Sequence, residues 1–262
     1  MTLQEILNFV NYVANKEQQG LSLSPEQYNS LLIGFNVQLF QSEIDAVEVA
    51  AKQAGTPVYR LFSGVSSLRP FRKFANLTTD VSGVAPLPTD YVHYMSLTSL
   101  FNGTYRDIDV ITEEDMANRR TSLMETPLSI KPACTMYGTS AKFYPSTVGH
   151  APNGLVELSY IKKPSSPYYD YCVQKDTGVV VYMPVGSVLR YLGSAVWRLE
   201  EAGGTIIASN VYYYLANPNQ VSKTVELEWD ERFHPVFIRL LLDAMGLNLD
   251  QEKLRTYMAQ AK

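Results

Sequence analysis

The stretch SPEQYNSLLIGFNVQLFQSEIDAVEVAAKQAG, residues 24–55, predicts one long helix around which the chain is organised. Ser24 is a preferred N-cap, Pro25 suits the first helical position, and Gln27 completes a capping box. Gly55 suits a left-handed stop. The apolar spacing is helical but changes phase, so the helix offers two faces, one to this chain and one to a partner. The apolar residues are Tyr28, Leu32, Phe35 and Leu39, followed by Phe40, Ile44, Val47, Ala51 and Ala54.

Composition and charge indicate a globular protein and argue against two kinds of partner. The chain has 262 residues, of which 46% are hydrophobic and 18% charged, enough for a well-buried core. The net charge of −4 and the isoelectric point near 5.5 predict no basic patch that would grip nucleic acid tightly. An early acid, no cleavage signal and no apolar run of ~18 residues predict a protein made in the cytosol, with no membrane partner.

The predicted elements run in the order helices, β-rich middle, helices, which gives an α+β class. We expect an N-terminal helical hairpin over 1–56, a β-rich central region over 57–230 and a C-terminal helical segment over 231–262, in one compact unit. The hairpin begins with a helix over 2–16, capped by Thr2 and Glu5. The other predicted helices cover 91–101, a segment from Thr112, 186–202, 235–245 and 248–261. The predicted strands cover 105–111, 133–137, 141–144, 155–161, 179–183 and 224–229, with turns at 137–139, 152–154 and 176–178.

The histidines and cysteines do not form a recognisable catalytic or metal pattern. His93, His150 and His234 stand far apart in sequence, and none has a second ligand at metal spacing. Cys134 and Cys172 lie in strand-like aromatic contexts, which predicts reduced, buried thiols, although a nucleophilic pair of either cysteine with His150 stays open. The sequence has no Walker loop, nucleophile elbow or dinucleotide fingerprint. We therefore predict no catalytic, cofactor-binding or metal-binding residue, and no enzyme.

The charged runs have simpler structural interpretations. Glu113, Glu114 and Asp115 open the helix that starts at Thr112, where their charge complements the helix dipole without a cation. The acidic pair at 200–201 predicts a solvated helix end. The basic pairs at 119–120 and 162–163 predict contacts with nearby acids, between elements or between subunits, and no phosphate track.

Five short patterns follow one another along most of the chain. They are QGLSLSPEQYN at 19–29, LPTDY at 87–91, the helix from Thr112 to Arg119 followed by Pro127 and Pro132, LVELSYIKKP at 155–164, and VELEW at 225–229 followed by an apolar helix and GLNL at 246–249. In kind and order they resemble the head-to-tail connector or neck ring proteins of tailed bacteriophages, especially crAss-like and related podoviruses. LVELSYIKKP is the most specific pattern, similar to a Leu-x-Tyr-x-basic-x-Pro strand of that group. The segment 171–222 lies outside the resemblance.

The resemblance implies a virion structural protein of the neck or tail, assembled in the host bacterial cytoplasm. About a dozen copies would form a homo-oligomeric ring that contacts the portal protein and tail or other neck proteins, with genomic DNA passing through the lumen without sequence-specific binding. The long two-faced helix, the abundant tyrosine and the mild acidity are compatible with this role. Two alternatives stay open: a tail or baseplate component with an adhesion role, favoured by a separate β-sandwich, and a cytosolic enzyme that uses Cys134 or Cys172. The helix face with Phe40 and Ile44 is either an intersubunit surface or core.

Overall fold

The computed structural model describes residues 1–17, 20, 22–101, 103–122, 125–148, 155–193, 196–212 and 220–247. Within them the predicted α+β class is confirmed, with helices first, a β-rich middle and a helix last. The chain divides into two compact units: the first unit holds residues 1–42 and the described part of 164–262, and the second unit holds 43–163. The predicted regions 1–56, 57–230 and 231–262 follow the order of elements, whereas the units divide the chain after residues 42 and 163. The predicted helix over 248–261 and the turn at 152–154 lie outside the described residues.

Two helices, α1 (Leu3–Glu17) and α2 (Pro25–Ala54), lie where the sequence predicts them. The Thr2 N–H donates to Glu5 Oε2 at 2.8 Å and the Glu5 N–H donates to Thr2 Oγ1 at 3.3 Å, which forms the predicted capping box. Ser24 and Gln27 exchange the same two bonds at the start of α2, at 3.1 and 3.3 Å. Gly55 follows α2 with a φ of 58°, a left-handed conformation that favours glycine.

Helix α2 buries one continuous stripe of residues, and this corrects the prediction of two separate faces. The buried residues are Tyr28, Leu32, Asn36, Phe40, Ile44, Val47 and Ala51. A four-residue step exceeds one helical turn by about 40°, so the stripe winds around the helix as it advances. Phe40 and Ile44 are only 6% and 3% exposed, so they belong to the core and not to a free surface. The large apolar residues of α2 that are exposed are Ile33, Val37 and Val49, and Ala54 of the predicted stripe is exposed as well.

In its described residues, the second unit contains the end of α2, two β-sheets, two short α-helices and a 3₁₀ helix at Arg69–Phe71. Its strands are β1 (Arg72–Leu77), β2 (Val84–Pro86), β3 (Tyr91–Phe101), β4 (Thr104–Asp107), β5 (Asp109–Val110), β6 (Ala133–Met136), β7 (Ser140–Tyr144) and β8 (Leu155–Lys162). Its helices are α3 (Val58–Phe62) and α4 (Glu113–Thr121). The strand orders are β1-β8-β3-β4, fully antiparallel, and β2-β7-β6-β5, in which β5 and β6 run parallel.

The inward residues of these two sheets form one hydrophobic core, as in a β-sandwich. Leu158 on β8 and Phe143 on β7 are both fully buried in it. Alternate residues along β7 are buried, as expected for a strand with one face on a core. Gly83 precedes β2 with a φ of 78°, and a Cβ there would lie 2.7 Å from the Cα of Ser146, so only glycine fits this close approach.

The first unit combines a six-stranded antiparallel sheet with helices. Its strands are β9 (Tyr171–Gln174), β10 (Val180–Tyr182), β11 (Val188–Gly193), β12 (Val196–Glu200), β13 (Ile206–Tyr212) and β14 (Gln220–Val221), in the order β10-β9-β13-β12-β11-β14. The last described helix, α5 (His234–Ala244), contacts α1 and confirms the predicted helix at 235–245. Tyr28 joins α2 to α1 by donating from its hydroxyl to the Leu3 carbonyl at 3.0 Å. Trp229 Nε1 donates to Asn36 Oδ1 at 2.7 Å, which satisfies the polar residue of the buried stripe.

Residues 91–101 form strand β3, so the predicted helix there is wrong. The strand pairs with β8 on one side and β4 on the other. Asp90, which like Thr89 is a residue type that can cap a helix starting at residue 91, instead accepts hydrogen bonds from Lys73 Nζ and the Tyr160 hydroxyl, both at 2.8 Å. Long-range strand pairing therefore overrides the local helix signal.

Two further predictions near the end of the chain are also wrong. The predicted helix over 186–202 is the pair β11 and β12. The predicted strand over 224–229 is reduced to one bridge between Tyr168 and Val225. Glu226 in this segment is half-buried, and its carboxylate accepts from the Leu3 N–H at 2.9 Å and from the Tyr182 hydroxyl.

Candidate functional site

The described histidines do not converge with other ligands. His93 lies on β3, with Nε2 3.6 Å from Glu48 Oε1 and its ring 5.1 Å from that of Phe62. Burial lowers its pKa, so the neutral ring is favoured there. His234 begins α5, is 5% exposed, and has a pKa lowered chiefly by burial. His150 lies outside the described residues, within which no group of three His, Cys, Asp or Glu could hold a metal ion.

Both cysteines are free thiols buried in strands. Cys134 lies on β6 in the second unit and Cys172 on β9 in the first, and both are 0% exposed. Burial raises the pKa of each thiol to about 12, well above the ordinary ~8.5. Each thiol therefore stays protonated at neutral pH, whereas a nucleophilic cysteine needs a thiolate. This agrees with the prediction of core cysteines.

We expect both native thiols to resist alkylation. At about pH 8 an exposed cysteine is partly thiolate and reacts quickly, whereas Cys134 and Cys172 are protonated and shielded. Thiol titration should count neither residue in the folded chain and both in denaturant. Val81→Cys, introduced at a position that is 80% exposed, serves as the reactive control. Fast, selective labelling of one native cysteine would contradict this prediction and support the enzymatic alternative.

The charged runs around α4 are engaged within the second unit. The Asp115 N–H donates to Thr112 Oγ1 at 3.1 Å, so the acidic run opens a capped helix as predicted. Arg119 pairs with Asp109 at 3.1 Å, which is an inter-element contact of the predicted kind. The Arg120 guanidinium lies 5.9 Å from the centre of the Tyr144 ring. These contacts fix α4 against its neighbours.

The predicted solvated helix end at 200–201 is wrong, because a strand ends there and Glu200 is buried. Glu200 ends β12 with 3% exposure, and Glu201 beside it is exposed. Arg190 Nε lies 2.8 Å from one carboxylate oxygen of Glu200, and Arg198 binds the other. Arg190 and Arg198 are direct cross-strand partners on β11 and β12, so the carboxylate neutralises two like charges. No local pattern in the sequence signals this cluster.

The sheet β1-β8-β3-β4 has one face in the core and one face that carries exposed aromatic residues. Phe74 on β1 is 77% exposed, and Tyr105 on β4 is 56% exposed. Phe74 lies opposite Ser159 of β8, which lies opposite Ser96 of β3. Tyr105 lies opposite Leu100 of β3, which is four residues beyond Ser96. Because residues an even number of positions apart on a strand share a face, Phe74 and Tyr105 lie on the same face of the sheet. Sequence reasoning missed this surface, because it depends on strand register.

Comparison with protein-family models and with curated proteins finds no match to this chain. Function is therefore inferred from the surfaces of the molecule and from the resemblance described above.

One cleft of the second unit is lined in part by side chains that interact with one another. A cleft of about 470 Å³ is lined by the Tyr59 and Tyr94 rings, which stack at 5.3 Å, and by the Arg119–Asp109 ion pair. Among the described helices, none has a span apolar and long enough to traverse a bilayer.

Three of the tyrosines belong to the core. Tyr28, Tyr160 and Tyr169 are at most 1% exposed. Tyr169 stacks on Tyr182 at 4.9 Å, and its hydroxyl binds Gln4. Abundant tyrosine is therefore weaker support for an interface than its count implies, and the exposed Tyr105 is the more informative residue.

Proposed function

We propose that this chain is a virion structural protein of a tailed bacteriophage and forms an oligomeric ring in the head-to-tail connector. About a dozen copies close around the DNA passage below the portal, with tail or other neck proteins on the opposite side. DNA passes through the lumen without sequence-specific binding, which suits a mildly acidic chain of net charge −4. The resemblance in pattern and order supports this role.

The observation that carries the proposal is the exposed apolar pair on α2. Ile33 and Val37 are 43% and 49% exposed. Each follows a residue of the buried stripe by one position, which places it about 100° around the helix from that stripe. The pair is separated by four residues, so its side chains form one contiguous patch. A helix that buries one side and exposes such a pair on another suits contact with a neighbouring subunit.

The proposal predicts that the purified chain forms closed rings. It also predicts that the chain no longer assembles when Ile33 and Val37 are replaced by charged residues. Mass photometry should give about a dozen copies per particle, and negative-stain microscopy should show a central opening that admits duplex DNA. Ile33→Asp combined with Val37→Asp should give monomers, because each interface would then bury two unpaired carboxylates. Stability of the monomer should change by less than about 0.5 kcal/mol, since both positions are exposed.

The matched control places the same charges on polar positions of the same helix. Ser30→Asp combined with Gln38→Asp changes two exposed residues and should leave the rings intact. If the Ile33/Val37 variant assembled as well as this control, the proposed subunit contact through α2 would be refuted. A parent chain that stays monomeric at every concentration would count against the ring.

The two-sheet core of the second unit favours a second candidate function. A sandwich is the arrangement expected of a tail or baseplate component with an adhesion role. Such a component would bind host cell envelopes as purified protein, whereas a connector subunit would not. Co-sedimentation with envelopes distinguishes the two.

A further inference from the structure

We propose that neighbouring copies of this chain join edge to edge through strands β1 and β4, so that the sheet β1-β8-β3-β4 continues from one subunit into the next. This inference rests on the proposed function, since it names a second surface, besides Ile33 and Val37 of α2, through which ring subunits contact one another. The occupant of each open edge is a second copy of the same chain.

Both edges of this sheet have unpaired backbone. Among the described residues, β1 pairs with β8 and β4 pairs with β3, and no other strand lies beside either. No described backbone hydrogen bond from another segment reaches residues 73–76 of β1 or 104–107 of β4. An edge strand of this kind is a template for a strand from another chain. A six-residue β1 is long enough to pair with all of β4.

The strand directions allow a head-to-tail arrangement. Successive strands in the order β1-β8-β3-β4 are antiparallel, so β1 and β4 run in opposite directions. A second copy placed alongside in the same orientation therefore brings its β1 antiparallel to β4 of the first. The pattern continues without a break, and repetition of this heterologous contact generates a ring when the rotation closes.

The side chains at the two edges are complementary. If Phe74 of one copy lies opposite Tyr105 of the next, two exposed aromatic rings form a cross-strand pair. The same register places Arg72 opposite Asp107, two residues away on each strand. Arg72 donates to the carbonyls of Phe62, Ser63 and Val65 and has no carboxylate partner among the described residues.

On the opposite face of the sheet, the same register places Lys73 opposite Arg106. The charge of Lys73 is already matched by Asp90 at 2.8 Å, which limits the repulsion. Strand β1 carries Arg72 and Lys73 and no acidic residue, so pairing of two β1 strands would instead offer no opposite-charge partner to either cation. The β1-to-β4 contact is therefore favoured over a symmetric β1-to-β1 contact.

Disulfide trapping tests this contact directly. The variant carrying both Phe74→Cys and Tyr105→Cys should give a ladder of covalent oligomers on a non-reducing gel after mild oxidation. Directly opposed residues in antiparallel strands bring Cβ atoms to ~4.5–5.5 Å, close to what a disulfide needs. The two positions cannot link within one chain, because they lie on strands three spacings apart, roughly 14 Å. Buried Cys134 and Cys172 are protected from oxidation.

Each single variant and one displaced pair serve as controls. Phe74→Cys alone and Tyr105→Cys alone should stay monomeric on the gel, since the contact joins unlike edges. A dimer from Phe74→Cys alone would show β1-to-β1 pairing and overturn the proposal. The displaced pair, Val81→Cys with Tyr105→Cys, places one thiol at an equally exposed site away from β1. The proposal would also be overturned if the Phe74/Tyr105 variant gave a ladder no stronger than that of this displaced pair.

Mass photometry of the parent chain separates failure of this contact from failure of the proposed function. Rings without a disulfide ladder would refute edge-to-edge pairing and leave the connector role intact. Monomers at every concentration, without a ladder, would refute both.

Discussion

Replacing Ile44 with aspartate is expected to destabilise the folded chain strongly. Ile44 is 3% exposed within the buried stripe of α2, so the new carboxylate would enter an apolar environment without a partner. The expected loss is more than about 4 kcal/mol, which is a large part of the ~5–15 kcal/mol that typically stabilises a folded protein. Circular dichroism and urea denaturation of the purified variant measure this loss.

Val49→Asp is the matched control on the same helix. Val49 is 52% exposed, so its replacement should cost little. A folded Ile44→Asp chain with the stability of the Val49 variant would show that Ile44 faces a partner and not the core, as one of the two sequence interpretations has it.

Replacing Glu200 with glutamine is expected to destabilise the chain by about 1–2 kcal/mol, between the values typical of exposed and of fully buried ion pairs. The Glu200 side chain is 4% exposed, whereas those of Arg190 and Arg198 are 58% and 31% exposed. The carboxylate is the counter-charge for Arg190 and Arg198, which face each other across β11 and β12. Glutamine keeps the size of the side chain but leaves the two guanidinium groups to repel each other. Chemical denaturation should therefore show a lower midpoint.

Glu201→Gln is the control for this second change. Glu201 is exposed and adjacent in sequence, so the two variants have the same composition and net charge. Equal midpoints for the Glu200 and Glu201 variants would mean that the ion pairs of Glu200 with Arg190 and Arg198 contribute nothing measurable to stability. Many solvent-exposed ion pairs behave in this way.

The helices were predictable where their ends are encoded by neighbouring residues. Thr2 with Glu5 and Ser24 with Gln27 form capping boxes whose donors and acceptors are three residues apart, so the signal is local. The same holds for Thr112 at the start of α4. These contacts need no knowledge of the rest of the chain.

Strand β3 was not predictable in this way. Its sequence follows an Asp that resembles a helix cap, yet Asp90 binds Lys73 and Tyr160, which are 17 and 70 residues away. Pairing with β8 and β4 decides the conformation, and neither partner is visible in the local pattern.

The candidate surfaces depend on the same long-range information. Phe74 and Tyr105 become neighbours on one sheet face only through the register of β8 and β3. A similar limit applies to α2, where apolar spacing showed a phase change but not which residues would stay exposed. The sequence has 18 tyrosines, and only the fold distinguishes the exposed Tyr105 from buried ones such as Tyr160.

The position of the two tryptophans has a practical consequence for spectroscopy. Trp197 on β12 and Trp229, which binds Asn36, both belong to the first unit. Selectively excited tryptophan emission therefore reports on the first unit, whereas far-ultraviolet circular dichroism records strands of both units. Coincidence of the two melting curves identifies one cooperative transition, and their separation resolves the melting of the second unit without any introduced label.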